Sequence, residues 1–484
     1  MPISEEVFFL NPAFEGTLQT EIRQMVASGI LSGRFRSGEK LPSSRKLATH
    51  LGISRLTVTL AYQELMADDY LTSKGKSGYY VSANAPPAPD LPQKKSRDSV
   101  DWSRAIGQRF SGSRAVEKLA DWESFEFPFI YGQADRSLFD QQNWRLCALD
   151  ALGKRDFTPL TTDYADRDDP QLVAFIARHT LPRRGILANS DEILITAGAQ
   201  NALWLTAQVL LTQRRTAAFE NPCYSGLRDI LRQVRCHLAP TSIDKNGMVL
   251  SQLPRETDVV FTTPSHQCPT NATMPLNRRM ALLERARQDD FLIVEDDYEF
   301  EMAFLKPPSP ALKSLDEDGR VIHVGSFSKS LFPGLRLGYL VGPAPFIAEA
   351  RALRSTVLRH IPGHIQRTTA YFLSRGHYDA LIRRIRLAFH ERRELIDHEI
   401  KVNRLEIAGT GDFGGSSIWM RCPKKKTATE IAHDARAQGV LIESGVPFFS
   451  GNEGENYYRL GYSSISSKRI PEGIRRLASV IHDE

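Results

Sequence analysis

Between Thr17 and Ile30 the apolar side chains fall at Leu18, Ile22, Met25, Val26 and Ile30, the spacing of one helical face. Gly33 and Gly38 punctuate the loop that follows. In Leu41-Pro-Ser-Ser-Arg-Lys-Leu-Ala-Thr-His-Leu51, the serines can cap a second helix and Gly52 can stop it. Ser54 opens a third helix expected to run from Arg55 to about Asp68. Tyr70-Leu-Thr-Ser and Gly78-Tyr-Tyr-Val-Ser then predict two short strands around the turn Lys74-Gly-Lys-Ser. Residues 1–82 are therefore expected to form a small module of three helices and a hairpin.

The pattern breaks at residues 83–123. Pro86, Pro87, Pro89 and Pro92 stand beside Lys94, Lys95 and Arg97, which predicts a linker, semi-extended at its proline end. Even as flexible coil it would reach about 35 Å. Residues 124–484 alternate helical stretches with short apolar runs at 192–196, 216–220, 258–262, 291–295 and 321–325. Buried strands between helices predict an α/β fold with a largely parallel sheet. After Pro345 a long, basic, helical stretch leads to 415–420 and 457–462, two strands expected of a smaller α+β subdomain.

Length and composition sharpen this. The 484 residues are too many for one ordinary core, and 41% hydrophobic with 25% charged residues is a globular balance. The net charge of +5 is small, so a nucleic-acid surface must be local. From Arg34 to Leu60 there are six basic side chains against Glu39 alone, matching the charge of the whole chain. The five cysteines are scattered without a CxxC pair, which points to neither zinc nor a disulfide framework and fits a reducing cytoplasm. The N-terminus has no basic segment leading into an apolar one, and no run approaches the length of a membrane span.

Two constellations carry chemistry. In the first module, two helices joined across Gly52 fit a helix-turn-helix. Its second helix would present Ser54, Arg55, Thr57 and Thr59 to base edges. Ser43, Ser44 and Arg45 would start the preceding helix, whose N–H groups suit a phosphate, and Lys76 would lie at the tip of the hairpin. A protein-binding three-helix module is the plainer alternative. In the large domain, Lys329 lies in Ser326-Phe-Ser-Lys-Ser-Leu-Phe-Pro-Gly-Leu-Arg336. A lysine that condenses with an aldehyde cofactor needs a lowered pKa and nearby donors for the cofactor's phosphate, which Ser326, Ser328 and Arg336 can supply. Thr196-Ala-Gly-Ala-Gln follows a strand and opens a helix, so the N–H groups of Ala199 and Gln200 would face an anion. Tyr224 ends the next strand and can stack on a ring. Glu295-Asp-Asp-Tyr298 ends another; a carboxylate there keeps a pyridine nitrogen protonated, with a metal site as the alternative. Arg459 can grip a carboxylate bidentately, or serve a structural ion pair.

The stretch from about residue 17 to 82 resembles the GntR-type winged helix, which implies operator contacts from Arg45, Arg55 and Thr57. Its hairpin departs from that pattern, with Lys-Gly-Lys-Ser-Gly-Tyr-Tyr-Val. From about Phe125 onward the chain resembles the fold-type I aminotransferases. By that resemblance Lys329 is the Schiff-base lysine of pyridoxal 5'-phosphate, and Ser326, Arg336, Ala199 and Gln200 are phosphate ligands. Tyr224 is the stacking aromatic, Tyr298 the partner of the ring hydroxyl, and Arg459 the effector anchor. Asp296 is assigned to the pyridine nitrogen, with Asp297 second. Cys268-Pro-Thr-Asn271 replaces the usual Asn-Pro-Thr-Gly, so the ring-contacting asparagine is missing.

Together the two halves resemble the MocR/GabR family of transcriptional regulators. That implies a head-to-tail homodimer on double-stranded operator DNA, with a small amino-compound effector (an amino acid, aminosulfonate or related amine) sensed by aldimine exchange at Lys329. An active aminotransferase with an accessory DNA-binding module is the alternative.

Overall fold

The computed structural model describes residues 2–86, 100–108, 110, 119–163, 166–411 and 413–482. The chain divides into two compact units, Met1–Arg109 and Phe110–Glu484. Most of the expected linker lies outside the described residues, apart from short helical turns at Trp102–Ala105 and Trp122–Ser124.

In the smaller unit α1 spans Leu18–Leu31, α2 Ser44–Leu51 and α3 Arg55–Ala67. Each begins at a hydroxyl cap: Thr17 accepts from the N–H of Thr20, Ser43 from Lys46 and Ser54 from Leu56. Gly52 closes α2 in the left-handed region. Strands β1 (Leu71–Ser73) and β2 (Tyr79–Val81) pair antiparallel as the wing. Ile22, Val26, Leu47, Val58, Ala61, Tyr62 and Leu65 fill the core beneath them. Helix α3 buries Val58, Ala61, Tyr62 and Leu65, the i, i+3, i+4, i+7 stripe, so Arg55, Leu56 and Leu60 face away from the core.

The larger unit opens with β3 (Phe127–Pro128). Its main sheet contains β4 (Ile193–Thr196), β5 (Thr216–Asn221), β6 (His237–Asp244), β7 (Gly247–Met248), β8 (Val259–Thr262), β9 (Leu292–Asp296), β10 (Val321–Ser326) and β11 (Gly338–Val341). Their spatial order is β4-β11-β10-β9-β8-β5-β6-β7. Neighbours from β10 through β9, β8 and β5 to β6 are parallel, while β11 runs antiparallel to both β4 and β10. Strands β5, β8, β9 and β10 are largely buried on both faces because helices cover both, while β6 lies mostly exposed. A smaller sheet has the order β12 (Glu406–Ile407), β13 (Ser417–Arg421), β16 (Tyr457–Gly461), β15 (Glu443–Ser444), and β14 (Val440–Leu441) pairs with β3. The architecture is that expected from the sequence: a winged helix, then an α/β unit with an α+β subdomain. Among the described residues no helix is long and apolar enough to cross a membrane.

Candidate functional site

The winged-helix face is built from α2, α3 and the wing. Arg45 and Arg55 are exposed, Thr57 is half-buried, and Leu56 is 65% exposed. An aliphatic side chain left in water at the start of a helix is available for apolar contact. Ser44 is the first residue of α2. Its hydroxyl is buried and accepts from Arg55 Nε at 3.4 Å, so it orients the arginine and does not face outward. Ser43 and Ser54 spend their hydroxyls on capping. The side chain of Lys76 lies outside the described residues. In the wing, Tyr80 sits between two ammonium groups, Lys74 at 5.0 Å and Lys40 at 5.8 Å from the ring centroid, with Ser77 Oγ at 2.7 Å from its phenol. The Ser77 hydrogen bond, with the two lysines, holds that phenol below its usual pKa.

In the larger unit, the strand ends gather residues far apart in sequence. The helix Ala199–Leu210 starts directly after β4 with Gly198 as its N-cap and no side chain capping it. Gly198 has φ +81°, and a Cβ there would come within 3.3 Å of Arg336 Nη2 and 3.7 Å of Ser328 Oγ. The positive φ favours glycine there, beside a cup formed by the guanidinium, the hydroxyl and the first-turn N–H groups of Ala199 and Gln200. Ser326 Oγ accepts from the N–H of Ser328 at 3.2 Å, while Ser328 Oγ is buried without a hydrogen-bond partner. Beside the cup, Tyr224 Oη donates to Gln200 Oε1 at 3.3 Å.

The three carboxylates at the end of β9 separate by environment. Glu295 accepts from the N–H groups of Leu312 and Lys313 and from His323 Nδ1. Burial alone would raise it, but His323 and Arg279 hold its carboxyl down at about 2. Asp297 accepts from Arg184 Nε at 2.6 Å, and the same arginine donates to Ser265 Oγ. Asp296 is different. Its Oδ1 is buried without a partner, and burial, with Asp297, Glu220 and Glu295 nearby, pushes its pKa up to about 7. A cationic ring nitrogen is the partner that would ionise it. Among the described residues no cluster fits a metal ion.

Lys329 Nζ stands 3.8 Å from the centroid of the Tyr131 ring, and Arg459 Cζ lies 4.1 Å from that same centroid. The backbone of Gly132 passes so close that a Cβ would come within 2.4 Å of Nζ. Arg459 donates through Nε to Glu443 Oε2 at 2.8 Å, its partner in the β15–β16 register. Both are buried, so the arginine carries an ion pair before any ligand arrives. Burial would lower the guanidinium's pKa, but Glu443 raises it instead. Cys268 fills the asparagine position, with Tyr224, Tyr298, Trp419 and Phe448 in one cluster. Burial pushes its thiol up to about 11. The turn that holds it hangs on Gln267, whose Nε2 donates to Glu220, Pro222 O and Cys268 O.

Lys329, Ser326, Ser328, Arg336, Ala199, Gln200, Tyr224, Asp296, Tyr298 and Arg459 thus meet at one end of the sheet. Tyr131, Gly132, Glu299, Gln267 and Glu443 join them and had no signal in the sequence, since only tertiary contact identifies them. The residues fit pyridoxal phosphate: a donor-lined cup with an unsatisfied hydroxyl suits its phosphate, an unpaired carboxyl its ring nitrogen, and an amine its aldehyde. A wider cavity, about 1000 Å³, lies elsewhere, and its Arg351 and Arg367 are already engaged by Asp168 and Asp169.

Residues 18–81 match the family model of bacterial regulatory proteins, gntR family, and residues 140–477 match that of aminotransferase class I and II. The chain is 56% identical to the HTH-type transcriptional regulator TauR of Rhodobacter capsulatus, over 99% of its length and 100% of that protein. It is 28% identical to the probable rhizopine catabolism regulatory protein MocR of Rhizobium meliloti, over 96% and 93% of the two chains. Among solved structures it is similar to Pyrococcus horikoshii kynurenine aminotransferase in complex with PMP (TM-score 0.70, 26% identity, 78% of this chain and 96% of that one). It is also similar to the α-aminoadipate aminotransferase LysN of Thermus thermophilus, complexed with N-(5'-phosphopyridoxyl)-L-leucine (TM-score 0.70, 26% identity, 79% and 98%). Winged helix, strand-end site and full-length relatives agree: the chain belongs to the MocR family of transcriptional regulators, in which a GntR-type DNA-binding domain is fused to an aminotransferase class I and II domain.

Proposed function

We propose that the larger unit holds pyridoxal phosphate at Lys329 to sense a small amino compound, and that the smaller unit relays the state of that site to double-stranded operator DNA. The observation that carries this is the convergence of Lys329, the Gly198–Ser328–Arg336 cup and the unpaired Asp296 at one end of the sheet. When bound, the cofactor supplies an aldehyde carbon for which primary amines compete and a ring that absorbs visible light. Ser326, Ser328, Arg336 and the N–H groups of Ala199 and Gln200 would hold its phosphate. Asp296 would accept from the ring nitrogen, with Tyr224 against the ring and Tyr298 toward the ring oxygen. Arg459, already half-neutralised by Glu443, orients the acid group of the effector.

The relative named TauR makes taurine, an aminosulfonate, the first effector to test; a guanidinium suits a sulfonate as well as a carboxylate. A ligand that favours one conformer shifts the population of the two, and so the spacing of the winged helices in a homodimer. Cys268 in place of asparagine weighs against efficient transamination.

Purified protein should carry a visible absorbance band that borohydride fixes to Lys329, and the band should shift with the true effector among a panel of amino compounds. A colourless protein that ignores added pyridoxal phosphate would sink the sensor reading. Turnover of an amino donor with a 2-oxo acid should be negligible; a normal enzymatic rate would favour an aminotransferase with an accessory DNA-binding module.

A further inference from the structure

Glu299 directly follows Tyr298 and is buried, yet among the described residues no arginine pairs with it. The neighbouring acids Glu295, Asp297 and Glu443 lie beside Arg279, Arg184 and Arg459 respectively. Glu299 Oε1 accepts instead from the Ser416 hydroxyl, and His266 Nε2 lies 3.2 Å from Oε2. Glu299, Ser416, Ser328 and Lys329 line one small cavity of about 30 Å³, bounded by Gly132. A cavity of that size has room for a water molecule. Burial would raise the carboxyl of Glu299, but His266 and Lys329 keep it below the ordinary range. A buried carboxylate is costly unless a cation faces it, and an imidazole meets that need only when protonated.

We propose that Glu299 is the counter-ion that holds the Lys329 amine protonated once it is released, and so keeps it from acting as a base. The inference rests on Lys329 being the amine that effectors displace. A primary amine arrives as an ammonium ion and must shed one proton to react, and the lysine amine it displaces takes one up. Total charge in the pocket is unchanged, and the new ammonium sits beside Glu299. A lysine kept as ammonium cannot withdraw a proton from the effector, so exchange is favoured over onward chemistry. Other charged or titratable groups act on the amine: Arg459 opposes protonation, while Asp296, the Cys268 thiol and the Tyr131 and Tyr298 phenols favour it when ionised. Of these, Cys268 and the phenols are held neutral by burial and Asp296 titrates only near 7, leaving Glu299 as the anion ionised throughout the neutral range. Glu299 is thus a positioning residue acting through Lys329.

The test needs no bound cofactor. In full-length cofactor-free protein, the rate of Lys329 acetylation by dilute acetic anhydride, resolved by mass spectrometry across pH, reports the amine's midpoint. Wild-type protein should titrate near the ordinary lysine value of about 10.4, above the lowered value expected from sequence of a condensing lysine, and Glu299→Gln should lower the midpoint by about one unit or more, a roughly tenfold rise in neutral amine at pH 7.5. Glu299→Asp, which keeps the charge, should restore most of the shift. Ser416→Ala, which removes only a hydrogen bond to Glu299, should move it less than the Gln variant. A Gln-variant midpoint within about 0.3 unit of wild type, or a wild-type midpoint below about 8, overturns the proposal. The second outcome needs no variant to fold, and both are independent of whether the protein takes up pyridoxal phosphate.

Discussion

Arg55 and Arg459 are the same residue type put to opposite physical use. Arg55 opens an exposed helix and is steered by a single neutral neighbour, the Ser44 hydroxyl. Arg459 is 4% exposed, paired with Glu443 and flanked by the rings of Tyr131 and Phe448, the latter at 4.6 Å. The first leaves its charge in water, where it costs the fold nothing and is available to a partner. The second has been desolvated, so the fold depends on its counter-ion. Recognition in the smaller unit is separable from stability; in the larger unit the two are fused.

The sharpest way to break this comparison is to remove the buried counter-ion. Glu443→Ala leaves a desolvated guanidinium unpaired and should destabilise the larger unit by about 3–5 kcal/mol, read as a lowered denaturation midpoint. A loss no greater than that of an exposed pair would mean the ion pair is not structural. Next comes Arg55→Ala. It should weaken operator binding by about 1–3 kcal/mol while leaving thermal stability and any cofactor band intact. Unchanged DNA affinity would remove its assigned role, and a collapse in stability would erase the contrast itself. The smallest effect belongs to the wing. Lys74→Ala should weaken binding evenly across DNA sequences and reduce the slope of log affinity against log salt by about one. A sequence-selective loss would instead make the wing a reader of bases.

The two units also differ in how much of them the sequence revealed. The winged helix is built from contiguous signals: a capping hydroxyl, an apolar stripe and a stop at Gly52, so its helices were predicted to within a few residues. The inward turn of the Ser44 hydroxyl was not legible, because it depends on Arg55, eleven positions away. In the larger unit β6 and β11 were not foreseen. Pro240 interrupts β6, which can carry a proline because its far neighbour, β7, is only two residues long. Strand β11 follows the Arg336 turn too closely for its four residues to stand out as a separate run. Lys329, Arg336 and the Ala199 turn were legible because each sits in a local pattern at a strand end. Glu299, Tyr131 and Gln267 were not, since their roles come from side-chain meetings across 30 to 330 residues. The choice between Asp296 and Asp297 also needed tertiary contact: Arg184 engages Asp297 and leaves Asp296 without a partner.

The backbone of Gly132 against the Lys329 amine has a use for anyone building a reporter from this chain. With φ +79°, position 132 favours glycine, and any side chain there would push the Lys329 amine aside. Filling it would press on the nitrogen proposed to hold the cofactor, from a residue outside the winged helix. The product would be a deaf regulator, equal to its parent in charge and in its DNA-reading face, and so a matched blank against which any effector-driven signal could be read.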